Sequence, residues 1–263
     1  MKAFEWFYVC VQPVYLPLYR RVRRELIRIS RQFDEPREFL DVGGRKSHYT
    51  IGVPANITIT DLPRETDIQH RLGLGINASI IERTKERRTN VRAVLIDDMT
   101  NCSLPSNSFD CVVAVEVLEH VEQDADFVSN VQRVLKPGGV FLMTTPNGDY
   151  LKIPNPDHKR HYSRRELADL LSRYFPETRV DYAIKGGLFR RWGLQSWSFG
   201  RPIRTMQSMI GNVVNSVESA RNNIRLLAKG THHLVAFARK LPPSTGSPAA
   251  HNGEANRNRR SPL

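Results

Sequence analysis

Cysteine is scarce in this 263-residue chain: Cys10, Cys102 and Cys111 are the only three, and no two stand in a C-x-x-C spacing. That is too few for a disulfide framework and the wrong spacing for a structural zinc, so the thiols point to a reducing compartment. Cys111, inside an apolar run, reads as a core residue. No run of about 18 uninterrupted apolar residues occurs, which excludes a bilayer-spanning helix. The apolar and aromatic start, residues 1–21, contains Glu5, Pro13 and Pro17 and lacks a small-residue cleavage site, so it does not read as a signal peptide. Internal repeats are absent too. What remains is a cytoplasmic globular protein of one α/β domain with appendages, for which peripheral contact at a membrane stays open.

Charge is present in excess and unevenly. The net charge is +12, with Lys and Arg outnumbering Asp and Glu over residues 1–38, 149–239 and 240–263, and acids in excess over 39–148. An acidic middle suits a cationic ligand. Basic flanks suit an anionic partner such as nucleic acid, a phosphorylated saccharide or a membrane surface, although arginine-rich faces that merely solvate helices give the same composition.

Residues 1–37 form a first unit. Leu18, Val22, Leu26, Ile29 and Phe33 recur at helical spacing among six arginines, which predicts an amphipathic basic helix from Leu18 to Phe33. Its stripe fits packing on the domain better than insertion into an anionic membrane. From residue 38 to 241 apolar runs alternate with helical patterns, the mark of a doubly wound, mostly parallel, seven-stranded Rossmann-like sheet with helices on both faces. The strands fall at Glu38–Val42, Ile57–Asp61, Val91–Ile96, Cys111–Val115, Val140–Thr144, Arg179–Ile184 and His233–Arg239. One helical face, Phe127 to Leu135, precedes the breaker Lys136-Pro137-Gly138-Gly139, and a capping box of Ser163 and Glu166 opens another helix running to Phe175. Residues 185–230 read as a helical insertion before the last strand. The tail 242–263, rich in Pro, Ser, Gly, Asn and Arg, has nothing to bury and is expected to be disordered.

The first strand runs into Asp41-Val42-Gly43-Gly44, where a tight turn lets a ligand approach the carboxyl edge of the sheet, and Asp61 ends the second strand twenty residues later, where such folds place an acid against ribose hydroxyls. Further along stand Asp98, Leu104-Pro105, Asn107-Ser108-Phe109-Asp110, Glu116-Val117-Leu118-Glu119-His120, Arg133-Val134-Leu135-Lys136-Pro137-Gly138-Gly139 and Thr145-Pro146-Asn147. With this ordered series the chain resembles the class I S-adenosylmethionine-dependent methyltransferases over about residues 38–175, in particular the broad methyltransferase type 11 group that includes ubiquinone and menaquinone biosynthesis enzymes. The resemblance implies S-adenosyl-L-methionine as cofactor, with Asp41, Gly43 and Gly44 at its methionine end, Asp61 on its ribose, Asp98 and Met99 at its adenine, and Glu116 beneath its sulfonium. It implies no metal.

An oxygen acceptor of high pKa needs a base, and His120 is the nearest candidate in sequence; the competing reading has Glu119 and His120 cap the following helix and hold the loop over the cofactor. The cluster His158 to Tyr162 reads either as an acceptor-facing anion site or as a solvated basic loop. Trp192, Trp197 and Phe199, set among Arg190, Arg191, Arg201 and Arg204, make residues 185–230 the candidate acceptor lid. The expected reaction is methyl transfer to a small-molecule, lipid or saccharide acceptor. RNA is a weaker alternative, since no RNA-recognition signature accompanies the basic charge, and Glu116-Val117-Leu118-Glu119 stands where nucleic-acid amine methyltransferases have Asn/Asp-Pro-Pro-Tyr/Phe. Arg45 and Ser47, in place of the second and third glycines of the loop, leave a non-catalytic binding protein on the same fold as another alternative. A nicotinamide dehydrogenase fits the glycine turn and Asp61 but not the later series. Deleting residues 243–263 is expected to leave the melting temperature unchanged, which differential scanning calorimetry would check; a clear drop would show that the tail packs.

Overall fold

The computed structural model describes residues 1–32, 36–65, 75–151, 155 and 157–242. The uninterrupted apolar runs become the middle of a sheet buried on both faces, as parallel strands require. Its strands are β1 (Arg37–Val42), β2 (Ala55–Asp61), β3 (Val91–Ile96), β4 (Phe109–Val115), β5 (Leu135–Pro146), β6 (Glu177–Lys185) and β7 (Thr231–Arg239). They pair in the order β3-β2-β1-β4-β5-β7-β6. Only the pairings made by β7, with β5 and with β6, are antiparallel. Every strand expected from the sequence is present. The largest difference is in β5, which begins ahead of the expected breaker: Leu135 pairs with Phe109, and a register shift absorbs Pro137, Gly138 and Gly139 before Val140 pairs with Cys111. Gly138, at φ +81, donates to the carbonyl of Lys240, so the Pro-Gly-Gly turn becomes an irregularity within the strand.

Side chains alternate across the sheet. Val112, Ala114, Phe141 and Met143 join α4 (Asp124–Val134) and α5 (Arg164–Ser172) on one face, while Cys111, Val113 and Leu142 face α2 (Pro17–Ser30) on the other. Leu18, Val22, Leu26 and Ile29 of α2 are all buried there, so the basic helix spends its apolar stripe on the domain. Phe33, the last residue of that expected stripe, lies outside the described residues. Ahead of α2 stands a helix the sequence reading did not assign, α1 (Ala3–Val11), separated from it by a 3-10 turn, Gln12–Val14, at Pro13. The buried carboxylate of Glu5 in α1 accepts from the backbone and hydroxyl of Thr89, just after α3 (Ala78–Arg87).

The insertion folds as α6 (Leu188–Gly193) and α7 (Pro202–Ser219), followed by a 3-10 turn, Asn222–Leu226, where one long helical pattern was expected. Gly193 and Gly211 let the two helices touch: a Cβ at Gly193 would collide with Asn212, and one at Gly211 with the carbonyl of Phe189. Arg20 of α2 donates to Ser216 of α7 at 2.7 Å, and Arg21 pairs with Asp181 of β6 at 3.4 Å, so the N-terminal unit is bonded to both the insertion and the sheet. The tail beyond residue 242 lies outside the described residues.

The capping box forms as expected. Ser163 Oγ accepts from Glu166 N at 3.1 Å, and Glu166 Oε2 accepts from Ser163 N at 2.8 Å. Ser163→Ala should therefore cost about 1 kcal/mol of stability, measurable by urea unfolding; an unchanged midpoint would mean that water satisfies the helix end equally well.

Candidate functional site

The chain leaves β1 and β4 in opposite directions from neighbouring positions, and a doubly wound sheet opens a crevice beyond the carboxyl ends of such a pair. Gly43 follows β1 at φ +67, and a Cβ on it would strike Val117 Cγ2, beyond β4, at 2.8 Å. Only glycine meets both demands. Beyond it, the short helix expected before β2 is replaced by two 3-10 turns, Gly44–Lys46 and His48–Thr50. The reason is Asp41. Its carboxylate is completely buried and accepts from Tyr49 Oη at 2.8 Å and Thr50 Oγ1 at 3.2 Å, and the chain must fold tightly to deliver both donors. Arg88, itself buried, bonds Thr50 Oγ1 at 2.7 Å from behind. A Cβ at Gly44 would press on the Asp41 carboxylate at 2.5 Å. Asp41 and Gly44, expected at the methionine end of a cofactor, are thus placed beneath the crevice, where they shape the loop. Burial pushes the Asp41 carboxyl up to about 6, against the pull of its hydroxyl donors and Arg88.

The crevice holds about 560 Å³, and Gly43, Asp61, Asp98, Met99, Glu116 and His120 are brought together along it. Asp61 accepts from Leu62 N at 2.9 Å; burial raises its carboxyl, and Leu62 and Arg45 counter this. Arg45 lines the crevice beside Asp61, so the residue in place of the second glycine turns inward. Ser47, in place of the third, is buried and bonds Gly44 O at 2.6 Å, as part of the scaffold around Asp41. Asp98 spends one carboxylate oxygen on Thr100, capping the 3-10 turn Met99–Asn101 at 2.9 Å. Its neighbour Asp97, missed in the sequence, also lines the crevice. One Asp97 oxygen holds Ser103, while the other is buried with no hydrogen-bond partner. A buried carboxylate oxygen without a donor is costly, and a bound amine or hydroxyl would supply one.

Glu116, at the end of β4, sits in the left-handed region at φ +55, a strained position for a side-chain-bearing residue. Thr144 Oγ1 donates to its Oε1 at 2.8 Å, and His233 Nδ1 lies 3.2 Å from its Oε2. Burial acts to raise the Glu116 carboxyl, but His233 and these hydrogen bonds outweigh it and hold it below the usual range. Glu119 and His120 do not cap the next helix, whose N-cap Gln123 has no side-chain bond. Instead the Glu119 carbonyl accepts from Lys159 N at 2.7 Å and His120 Nδ1 bonds Asp157 O at 3.0 Å, pinning residues 157–160 to the end of β4. Within that segment Arg160 and Tyr162 are both committed to Asp124, so they offer no free anion site. Glu119, His120 and His158 present donor atoms within 4.8 Å of one another and could hold a divalent cation, a prospect the sequence reading did not include. A proton competes for that place, because burial and the charge of Glu116 push the Glu119 carboxyl well up.

His233 and Arg190 were also missed. Both line a smaller cavity of about 160 Å³ that shares Glu116 with the crevice. Since β7 runs antiparallel, its first residues arrive at the carboxyl edge of the parallel strands; knowledge of that reversal is the signal that would have placed His233. In the insertion, Phe199 is fully exposed and lines nothing, whereas Trp197 bonds Ser208 at 3.0 Å and meets Tyr15 edge-on.

Residues 51–143 match the family model described as a methyltransferase domain. A probable S-adenosylmethionine-dependent methyltransferase of Mycolicibacterium smegmatis is 36 % identical over 114 residues, 40 % of this chain and 43 % of that protein. A ubiquinone biosynthesis O-methyltransferase of Rickettsia typhi is 23 % identical over 160 residues, 56 % of this chain and 63 % of that protein. The chain therefore spans less than two thirds of the length of either relative. Among solved structures, phosphoethanolamine N-methyltransferase 2 of Haemonchus contortus in complex with S-adenosyl-L-methionine superposes with a TM-score of 0.53 at 17 % identity, over 84 % of this chain and 53 % of that one, a likeness of fold. The stretch 51–143 is a methyltransferase domain on a Rossmann-like sheet.

The raised Asp41 carboxyl has a signed consequence. A folded-state pKa of about 6 against an ordinary 3.8 means that its contribution is fully present below about pH 4 and lost as pH rises through about 6. Relative to Asp41→Asn, the wild-type protein should lose on the order of 3 kcal/mol between pH 4 and pH 8, read from paired urea melts. A pH-independent difference would show that Asp41 does not titrate there.

Proposed function

We propose that this chain is an S-adenosyl-L-methionine-dependent methyltransferase acting on a small-molecule or lipid-borne acceptor. The observation that carries this reading is the crevice at the β1–β4 switch point, where a close-approach glycine, the Asp61 carboxylate and the unpartnered Asp97 oxygen converge. Gly43 admits the ligand backbone-close, Asp61 takes the ribose hydroxyls, and Asp97 or Asp98 takes the adenine amine beside buried Met99. Glu116, held ionised, favours the positive charge at the far end. When bound, the cofactor supplies an already activated methyl group, so the protein's part is chiefly to hold the acceptor in line and keep water out.

A lipid-borne acceptor draws support from the surface beside the insertion. Trp6, Phe7, Ile203 and Met206 are exposed, with Arg201 and Arg204 in the same segment as the last two, and no helix among the described residues is long and apolar enough to cross a membrane. Aromatic and apolar side chains among arginines suit peripheral contact with an anionic lipid surface. Peripheral contact would let the protein draw its acceptor from the bilayer.

Calorimetric titration tests the reading. S-adenosylmethionine should bind and NAD should not, and Asp61→Ala should weaken the former roughly 10- to 100-fold through the lost carboxylate hydrogen bonds while leaving the melting temperature nearly unchanged. Binding of neither ligand would favour a non-catalytic role for the fold.

A further inference from the structure

Across Glu116 from the crevice, the 160 Å³ cavity is closed by the start of α2, by Ile184 of β6, by α6 and α7, and by His233 of β7. Two residues of this wall have backbones that only glycine adopts freely. Glu116 stands at φ +55 and Ile184 at φ +58, and a β-branched residue there is a pronounced outlier. The β6–β7 ladder steps from Ala183–His233 to Lys185–Thr231, passing over Ile184 at this bend. Strain of about 1–3 kcal/mol per residue persists where the surroundings over-determine it, and here both instances border one small space.

The polar groups in that space have a definite protonation pattern. Arg190 carries only donors, and its Nη2 lies 3.5 Å from His233 Nε2, so Nε2 presents a lone pair. Nδ1 then carries the hydrogen and donates to Glu116 Oε2 at 3.2 Å. A carboxylate that fixes the imidazole tautomer and steadies the imidazolium leaves the outer nitrogen as a base. The rest of the wall is apolar: Leu16, Pro17, Leu18, Ile184 and Leu194. Its volume is comparable to the roughly 150 Å³ of a protein cavity that accepts benzene. Leu16, Leu194 and Asn212 also border a groove of about 290 Å³ walled by Phe7, Tyr8, Tyr15 and Trp197, which gives an apolar substituent a path outward.

We propose that this cavity seats a hydroxyl carried on a single ring, and that His233, oriented by Glu116, removes its proton during methyl transfer. The proposal rests on the methyltransferase reading and replaces His120 in the role of base. The step balances: the acceptor O–H proton passes to His233 Nε2 as the new C–O bond forms, and the sulfonium C–S bond breaks with its electron pair left on a neutral thioether. Arg190, beside the same oxygen, stabilises the negative charge that develops on it.

Two probes test this, 4-nitrophenol and phenol, with His233→Gln and Leu194→Trp. Added to the cofactor-free wild-type protein, 4-nitrophenol should bind and gain ionised absorbance relative to the free dye at the same pH; His233→Gln should bind it with less ionisation, and Leu194→Trp should not bind it. With methyl-tritiated S-adenosylmethionine, His233→Gln should lower kcat on phenol by roughly 100-fold or more, since that is the scale of general-base assistance, and lower it only a few-fold on the already ionised nitrophenol. Affinity for S-adenosylmethionine should be unchanged in both variants, which also shows that they fold. Equal losses on the two phenols would overturn the role of His233. Failure of a wild-type protein that titrates with S-adenosylmethionine to bind either phenol would overturn the cavity assignment alone. A wild-type protein that does not bind S-adenosylmethionine would remove the methyltransferase reading and this inference with it.

Discussion

The geometry of the cofactor half depends on one buried carboxylate. Asp41 sits at zero exposure inside the sheet, and an ionised or partly ionised group there has to be given donors by the chain itself. Tyr49 and Thr50 supply them, which forces residues 44–50 into two tight turns in place of a helix. Those turns bring Arg45 to the rim of the crevice beside Asp61, with Arg88 bracing the assembly from behind. Gly44 is glycine because the carboxylate leaves no room for a Cβ, and Gly43 because Val117 leaves none on the other side. A residue that touches no ligand therefore determines the shape of the surface on which a ligand would lie.

The acceptor half is built on a different principle. Around Glu116 the structure stores strain and unusual charge in place of satisfied burial: two left-handed side-chain-bearing residues, an arginine facing an imidazole, and a carboxylate held low by its neighbours. Local rules of consistency fail there, and such failures concentrate at functional sites. In the cofactor half, each departure from the family pattern has a structural account. Ser47 serves Gly44 and the Asp41 cluster, and Arg45 faces Asp61.

Much of the fold was legible because strand and helix periods were clear. All seven strands, the capping box at Ser163 and the buried stripe of α2 follow from apolar spacing and turn residues alone. Helix α1 was not legible: its aromatic residues carry no clean period, and Trp6 and Phe7 remain exposed. Within the site, Gly43, Asp61, Asp98, Met99 and Glu116 were found because ordered motifs fix them to strand ends. Asp41 was placed on the wrong side of its own loop, since sequence spacing says which edge of a sheet a residue reaches but not whether its side chain points up or down. His233 was invisible for a topological reason. It lies 117 residues from Glu116 and reaches it only because one strand of seven runs backwards.

That reversed strand carries a further implication, for how such a protein can diversify. β6 and β7 are locked to each other by a long antiparallel ladder, and α6 and α7 hang between them as a loop anchored at both ends. Lengthening or replacing a loop anchored in this way costs little conformational entropy, because closure grows only with the logarithm of length. The cofactor crevice lies across the sheet on β1, β2 and β3, beyond the reach of such changes. A lineage of these chains could exchange one acceptor for another by rewriting a single excursion of the backbone, with its chemistry inherited intact.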